Sequence, residues 1–130
     1  MYEAFGRGDI ATVTGHMDPK VEWNEAENFI YADGNPYRGP DAVAAGVFAR
    51  IGTEWEGFAA TPHRFHDAGD SVIIEGRYTG VNRASGQAVN AQFAHILTFE
   101  GGKLVRFQQY TDTAQVRDAV REAAMTALGR

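Results

Sequence analysis

Three side chains in this sequence have the type and placement for proton-transfer chemistry next to an apolar surface. His95 lies in the alternating run Val89, Ala91, Phe93, His95, Leu97, Phe99, so its ring falls on an otherwise apolar strand face. A neutral imidazole there can donate one ring N–H to a developing oxyanion, and a protonated one can act as a general acid. Glu25 follows Trp23 in an acidic stretch with Glu22 and Glu27. With its carboxylate desolvated by apolar walls, it would be raised toward a working pH as a base. Asp112 ends the last strand-like segment and could reach a pocket from there. Each also has a plainer use. A lone histidine on an apolar face is commonly a satisfied core residue, and Glu25 can be a solvated loop carboxylate. Asp112-x-x-Gln115 is a capping box for the helix that follows.

Other chemistries find no support. Cysteine is absent, which removes disulfides, thiolate catalysis and thiolate-ligated metals. His63 and His66, three apart on a strand, face opposite sides, and His16 stands alone at a helix end. No metal site and no cofactor are expected. No GxGxxG, Walker A, GxSxG or HExxH phrase occurs, and Gly101-Gly102 reads as a hairpin turn. The formal net charge of −5, with scattered arginines and few lysines (Lys20, Lys103), argues against a nucleic-acid surface. No apolar run is long enough for a membrane span and the first residues do not read as a signal peptide, so no membrane partner and a cytoplasmic location are expected.

The elements that must position these residues fit one α+β domain over residues 1–130, with 44% hydrophobic residues to fill a core. Residues 1–5 read as a helical turn ending at Gly6. Asp9 caps a second short helix with Ile10, Val13 and Met17 facing in, stopped at Asp18-Pro19. Val21 to Glu25 alternates as a strand, and Phe29 to Ala32 reads as a second short one. Gly39-Pro40-Asp41 starts a helix striped by Val43, Val47, Phe48 and Ile51 and terminated by Gly52. Four strands follow, over Trp55–Phe65, Ser71–Val81, Val89–Phe99 and Lys103–Tyr110, joined by tight turns as a meander. The tail, Thr113 to Leu128, is helical, with Val116, Ala119, Val120, Ala123, Ala127 and Leu128 on one stripe and Gly129 as C-cap. Helices on the concave side of a bent sheet would enclose a small-ligand cavity. The aromatics Trp23, Tyr37, Phe48, Trp55 and Phe58 near its mouth, with Phe93, are candidate walls, and Tyr110 could hold a polar ligand group.

Several phrases in order carry a resemblance: Tyr2-Glu3-Ala4-Phe5 with Gly8-Asp9-Ile10, Val21-Glu22-Trp23, Pro36 to Val43, His95 to Phe99, Gly102-Lys103-Leu104, and Tyr110 to Thr113. Over nearly its whole length the chain resembles the SnoaL-like and ketosteroid-isomerase-like proteins of the nuclear transport factor superfamily. The resemblance implies a cone-shaped, cystatin-like fold, a bent antiparallel sheet with helices on its concave face. Ketosteroid isomerases pair a carboxylate base just after the first strand with a tyrosine on the first helix and a protonated aspartate on a late strand. Matching the phrases puts Glu25 at the base position and His95 at the aspartate position. The tyrosine position falls on Met1, next to Tyr2, so the tyrosine is missing or displaced. Such proteins carry further helical turns before the Tyr-Glu-Ala-Phe phrase, so the chain is expected to start late, with one wall of the cone open. The superfamily holds isomerases, cyclases, dehydratases, hydrolases and non-catalytic binders. The expected activity is proton transfer on a small apolar carbonyl compound, with Glu25 or Asp112 as base and His95 at the enolate. The alternative is a non-catalytic ligand-binding or assembly domain. Relatives commonly pair through the outer sheet face, here Ile73, Glu75, Arg77 and Thr79, so a homodimer is expected.

Overall fold

The computed structural model describes the backbone of residues 1–127 and the side chains of residues 1–121. Two short helices open the chain, α1 (Tyr2–Gly6) and α2 (Ile10–Gly15). Asp9 caps α2 by accepting the Thr12 N–H at 3.2 Å, as its position predicts. Strand β1 (Met17–Asn24) follows, then a 3₁₀ turn at Ala32–Gly34 and the two-residue strand β2 (Tyr37–Arg38). The next helix begins as α3 (Pro40–Val43), widens into a π turn over Ala44–Phe48 and continues as α4 (Ala49–Glu54). Four long strands then form the meander: β3 (Trp55–Ala68), β4 (Ser71–Asn82), β5 (Ala88–Glu100) and β6 (Lys103–Thr111). Helix α5 (Thr113–Ala127) closes the chain. The stripe expected at Ala123 and Ala127 lies beyond the described side chains. Leu128 and Gly129 lie outside the described residues altogether.

The six strands form one sheet in the order β2-β1-β6-β5-β4-β3. All neighbours are antiparallel except β1 and β6, which run parallel with Asn24 opposite Gln108. Register shifts at Glu56/Ala59 and Pro62/Arg64 in β3, and at Thr98/Phe99 beside β6, bend the sheet. The helices lie on the face that carries Ile74, Tyr78, Phe93 and Leu97. Two apolar clusters fill that side. One packs α1, α2 and the π turn over the sheet, and the other packs α5 over Trp55, Val89 and Ala91.

Three expected boundaries are corrected. Phe29 to Ala32 is a pair of tight turns, with the Phe29 N–H on the Ala26 carbonyl and the Ala32 N–H on the Phe29 carbonyl. Asn28, at φ 70°, breaks the extended run, and Phe29 and Tyr31 are buried beside Trp55 instead of pairing as strand. The strand partner of β1 is Tyr37–Arg38. Met17 belongs to β1, opposite Leu104, rather than to α2. The helix after Gly39 runs past Gly52 to Glu54.

Gly76 shows how tightly the concave face is filled. It sits opposite Phe93. A Cβ there would come within 2.3 Å of the Thr61 carbonyl oxygen and 2.5 Å of the Phe93 ring. Gly76→Ala is therefore expected to destabilise the protein by about 1–3 kcal/mol through overpacking, read from urea unfolding. A variant as stable as the parent would mean that the strands move apart freely here.

Candidate functional site

The concave face and the N-terminal helices enclose a predominantly apolar cavity of about 70 Å³. Tyr2 and Phe5 of α1 and Val13 of α2 form one wall. Phe48 and Ile51 form a second, and the sheet supplies Trp23, Phe58, Tyr78, His95, Leu97 and Phe107. Two further polar residues, Glu25 and Gln109, also line it.

Strand alternation turns His95 inward, as the sequence predicts, and the ring is 4% exposed. Phe93 stacks on it with centroids 4.0 Å apart. Both nitrogens are engaged: Nδ1 with the Tyr2 hydroxyl at 2.7 Å and Nε2 with the Tyr78 hydroxyl at 2.5 Å. Burial drives the pKa down to about 3, so the ring is neutral at ordinary pH. The protonated-acid reading of His95 is thereby corrected. So is direct donation from the ring, since neither nitrogen is left for a ligand. The two tyrosines that hold it, Tyr2 and Tyr78, line the cavity with it.

Glu25 is the first residue after β1, where the chain turns away from the sheet. Its backbone is clamped by one side chain. The Glu25 N–H donates to Asn35 Oδ1 at 2.9 Å, and Asn35 Nδ2 donates to the Glu25 carbonyl at 2.8 Å. The carboxyl is 3% exposed, and its Oε2 accepts from Trp23 Nε1 at 3.2 Å. Desolvation raises its pKa to about 8, held back in part by the Trp23 hydrogen bond and the charge of Arg50. This is a buried, tunable carboxyl and not a solvated loop residue.

Asp112 and Tyr110 are among the expected site residues that lie elsewhere. Asp112 is exposed and caps α5, accepting the Gln115 N–H at 3.2 Å, with Gln115 Nε2 donating to its other oxygen at 3.3 Å. Its reach into the pocket is corrected, because the cap geometry turns the carboxylate outward. Tyr110 is 55% exposed, on the opposite face of β6 from Phe107 and Gln109. Of the expected walls, Trp23, Phe48 and Phe58 line the cavity. Phe93 lies behind His95, and Trp55 donates its indole N–H to Tyr31 at 3.1 Å within the second cluster. Tyr37 fills the space left by Gly34 and Gly46 and donates to the Tyr31 carbonyl at 2.6 Å.

Sequence reasoning missed Tyr2, Tyr78 and Gln109 as site residues. Tyr78 shares the inward alternation of Ile74 and Gly76, a signal that was available. Gln109 was hidden, because the inward alternation of β6 breaks between Leu104 and Phe107, at the irregularity opposite Thr98/Phe99.

A model of the SnoaL-like domain matches residues 1–107. The chain belongs to the SnoaL-like family. Among solved structures, this SnoaL-like chain is similar to an NTF2-like protein of Burkholderia thailandensis, with 39% identity, a TM-score of 0.87, and coverage of 92% of this chain and 90% of that one. It is similar to TerC, co-crystallised with polyporic acid, at 26% identity and TM-score 0.81, with 92% of each chain covered. A Jannaschia sp. CCS1 protein named for a SnoaL-like polyketide cyclase shares the fold at 19% identity and TM-score 0.76, covering 90% and 83% of the two chains. No protein of curated function matches the chain.

Glu25 and His95, two of the buried titratable groups, give opposite pH dependences. Between pH 4.5 and about 8 the native state keeps a Glu25 proton that the unfolded chain has lost, so stability falls as pH rises. Between pH 6.5 and about 3 the native state refuses a His95 proton that the unfolded chain takes, so stability falls as pH drops. Above pH 6.5 only the Glu25 effect remains. Raising the pH from about 6.5 to about 8.5 should cost the protein about 2 kcal/mol, at ~1.4 kcal/mol per pH unit up to the Glu25 pKa. Glu25→Gln should remove that slope. Urea unfolding at the two pH values checks both, and parallel behaviour of parent and variant would show Glu25 to titrate normally.

Proposed function

We propose that this SnoaL-like protein abstracts a proton next to the carbonyl of a small, largely apolar compound. That step is common to isomerisation, aldol-type cyclisation and dehydration. One observation carries the reading: a buried carboxyl of raised pKa lines the same apolar cavity as a chain of neutral hydroxyl and imidazole groups. Glu25, when ionised, is the base that takes the proton from carbon. The charge that develops on the carbonyl oxygen is met by a hydroxyl held on His95, a neutral donor suited to an oxyanion in a dry site. No cofactor is needed for this step. The family match and the fold shared with TerC, crystallised with polyporic acid, support an organic ligand in this cavity.

A second reading rests on cavity size. About 70 Å³ is less than half the ~150 Å³ of an engineered apolar cavity that holds benzene. A larger ligand enters only if Met1 or the Phe5, Phe48 and Phe58 cluster moves. A domain that binds a few-atom ligand or uses its core to support an assembly fits that size without any turnover. Such an assembly would be a homodimer through the outer sheet face, where Ile73 and Ile96 pair beside Glu75 and Arg77. Sedimentation as a monomer at micromolar concentration would remove it.

Proton–deuterium exchange at the α-carbon of small ketones in D₂O, followed by NMR, separates the two readings. The catalytic reading expects exchange above the buffer rate, rising through pH 8 as Glu25 ionises. It also expects Glu25→Gln to lower exchange by about 10²-fold or more. Binding without exchange, or exchange untouched by Glu25→Gln, would leave the binding domain standing.

A further inference from the structure

The polar groups on the concave face form one hydrogen-bonded chain, and its direction can be counted from one end. The Ala26 N–H, which can only donate, reaches Gln109 Oε1 at 3.0 Å. The amide of Gln109 is thereby oriented. Its Nε2, also able only to donate, points at the Tyr78 hydroxyl oxygen at 2.9 Å. Tyr78 has accepted, so its own proton needs an acceptor. Among the described residues its other hydrogen-bond partner is His95 Nε2, at 2.5 Å. Leaving that buried hydroxyl proton unpaired would cost about 1–3 kcal/mol. Nε2 therefore accepts, and a neutral ring carries its one proton on Nδ1. That N–H donates to the Tyr2 hydroxyl oxygen at 2.7 Å. Tyr2 in turn keeps a proton that no other described residue accepts, and Tyr2 lines the cavity.

We propose that Gln109 is the positioning residue that fixes the polarity of this chain, holding His95 in the Nδ1–H tautomer and making the Tyr2 hydroxyl a donor toward the cavity. The same amide ties this donor to the Ala26 backbone, the residue after Glu25, so base and donor are set by one side chain. The ligand atom that meets Tyr2 is then a hydrogen-bond acceptor, a carbonyl or enolate oxygen, and not a group with only an N–H to offer. In calling that atom a carbonyl the inference rests on the proposed function. The tautomer and its cause do not.

The ¹⁵N shifts and two-bond couplings of the His95 ring, measured on the folded protein near pH 7, give a direct reading. Protonated Nδ1 and bare Nε2 are expected. An Nε2–H ring, or an even mixture, would overturn the proposal without any variant being made. Tyr2→Phe should leave the tautomer unchanged, because the polarity enters from the Gln109 end. Gln109→Leu frees Tyr78 to accept from the ring, so the Nε2–H form should appear at a level the parent lacks. A folded Gln109→Leu protein that keeps pure Nδ1–H would show that Gln109 is not the cause. Ketone exchange that is absent while the ring is Nδ1–H sinks the catalytic reading alone. Glu25-dependent exchange with an Nε2–H ring sinks this inference alone.

Discussion

An imidazole taken out of water leaves two ring nitrogens in need of partners, and much of the concave side of this protein is arranged to provide them. His95 is nearly fully buried and yet has both nitrogens bonded. The partners come from three separate elements, α1, β4 and, through Tyr78, β6. Among the described side chains no buried polar atom lacks a partner. Low polarity strengthens a fully satisfied network and makes any gap in it costly. That dependence joins the N-terminal helix to the meander, because Tyr2 docks α1 on the sheet both by stacking over His95, with centroids 5.8 Å apart, and by its hydroxyl.

The same reasoning separates the two acidic residues that looked interchangeable in the sequence. Glu25 is removed from water and, among the described side chains, has one donor, the Trp23 indole, so desolvation dominates and its charge becomes conditional. Asp112 keeps its water and is spent on the first turn of α5. The chemistry of a carboxylate here follows from which side of the strand end it leaves, not from its residue type.

Most of the fold was legible because its signals are local and periodic. The alternation of β4 and β5, the proline after Gly39 and the Asp9 cap all act within a few residues, and each element formed where they pointed. The segment from Asn28 to Tyr31 misled, since Phe29 and Tyr31 carry strand-like side chains that are claimed by a distant Trp55 cluster. The site was legible only in its titratable members. His95 and Glu25 stand out by type, whereas Tyr2, Tyr78 and Gln109 matter through one another. Their pairing depends on contacts across 93, 17 and 31 positions of chain, which no window of sequence displays.

The parallel pairing of β1 with β6 has a consequence for how the family can vary. Because the two strands run the same way, Glu25, just past the end of β1, comes level with Gln109 inside β6, one place beyond the Asn24 and Gln108 pair. The hairpin ends between β3 and β4 and between β4 and β5 project elsewhere and take no part in that alignment. Insertions there would leave the carboxyl and the amide in step. The inheritance of such a protein can therefore be free at its tips while the junction of its first and last strands is kept to the residue.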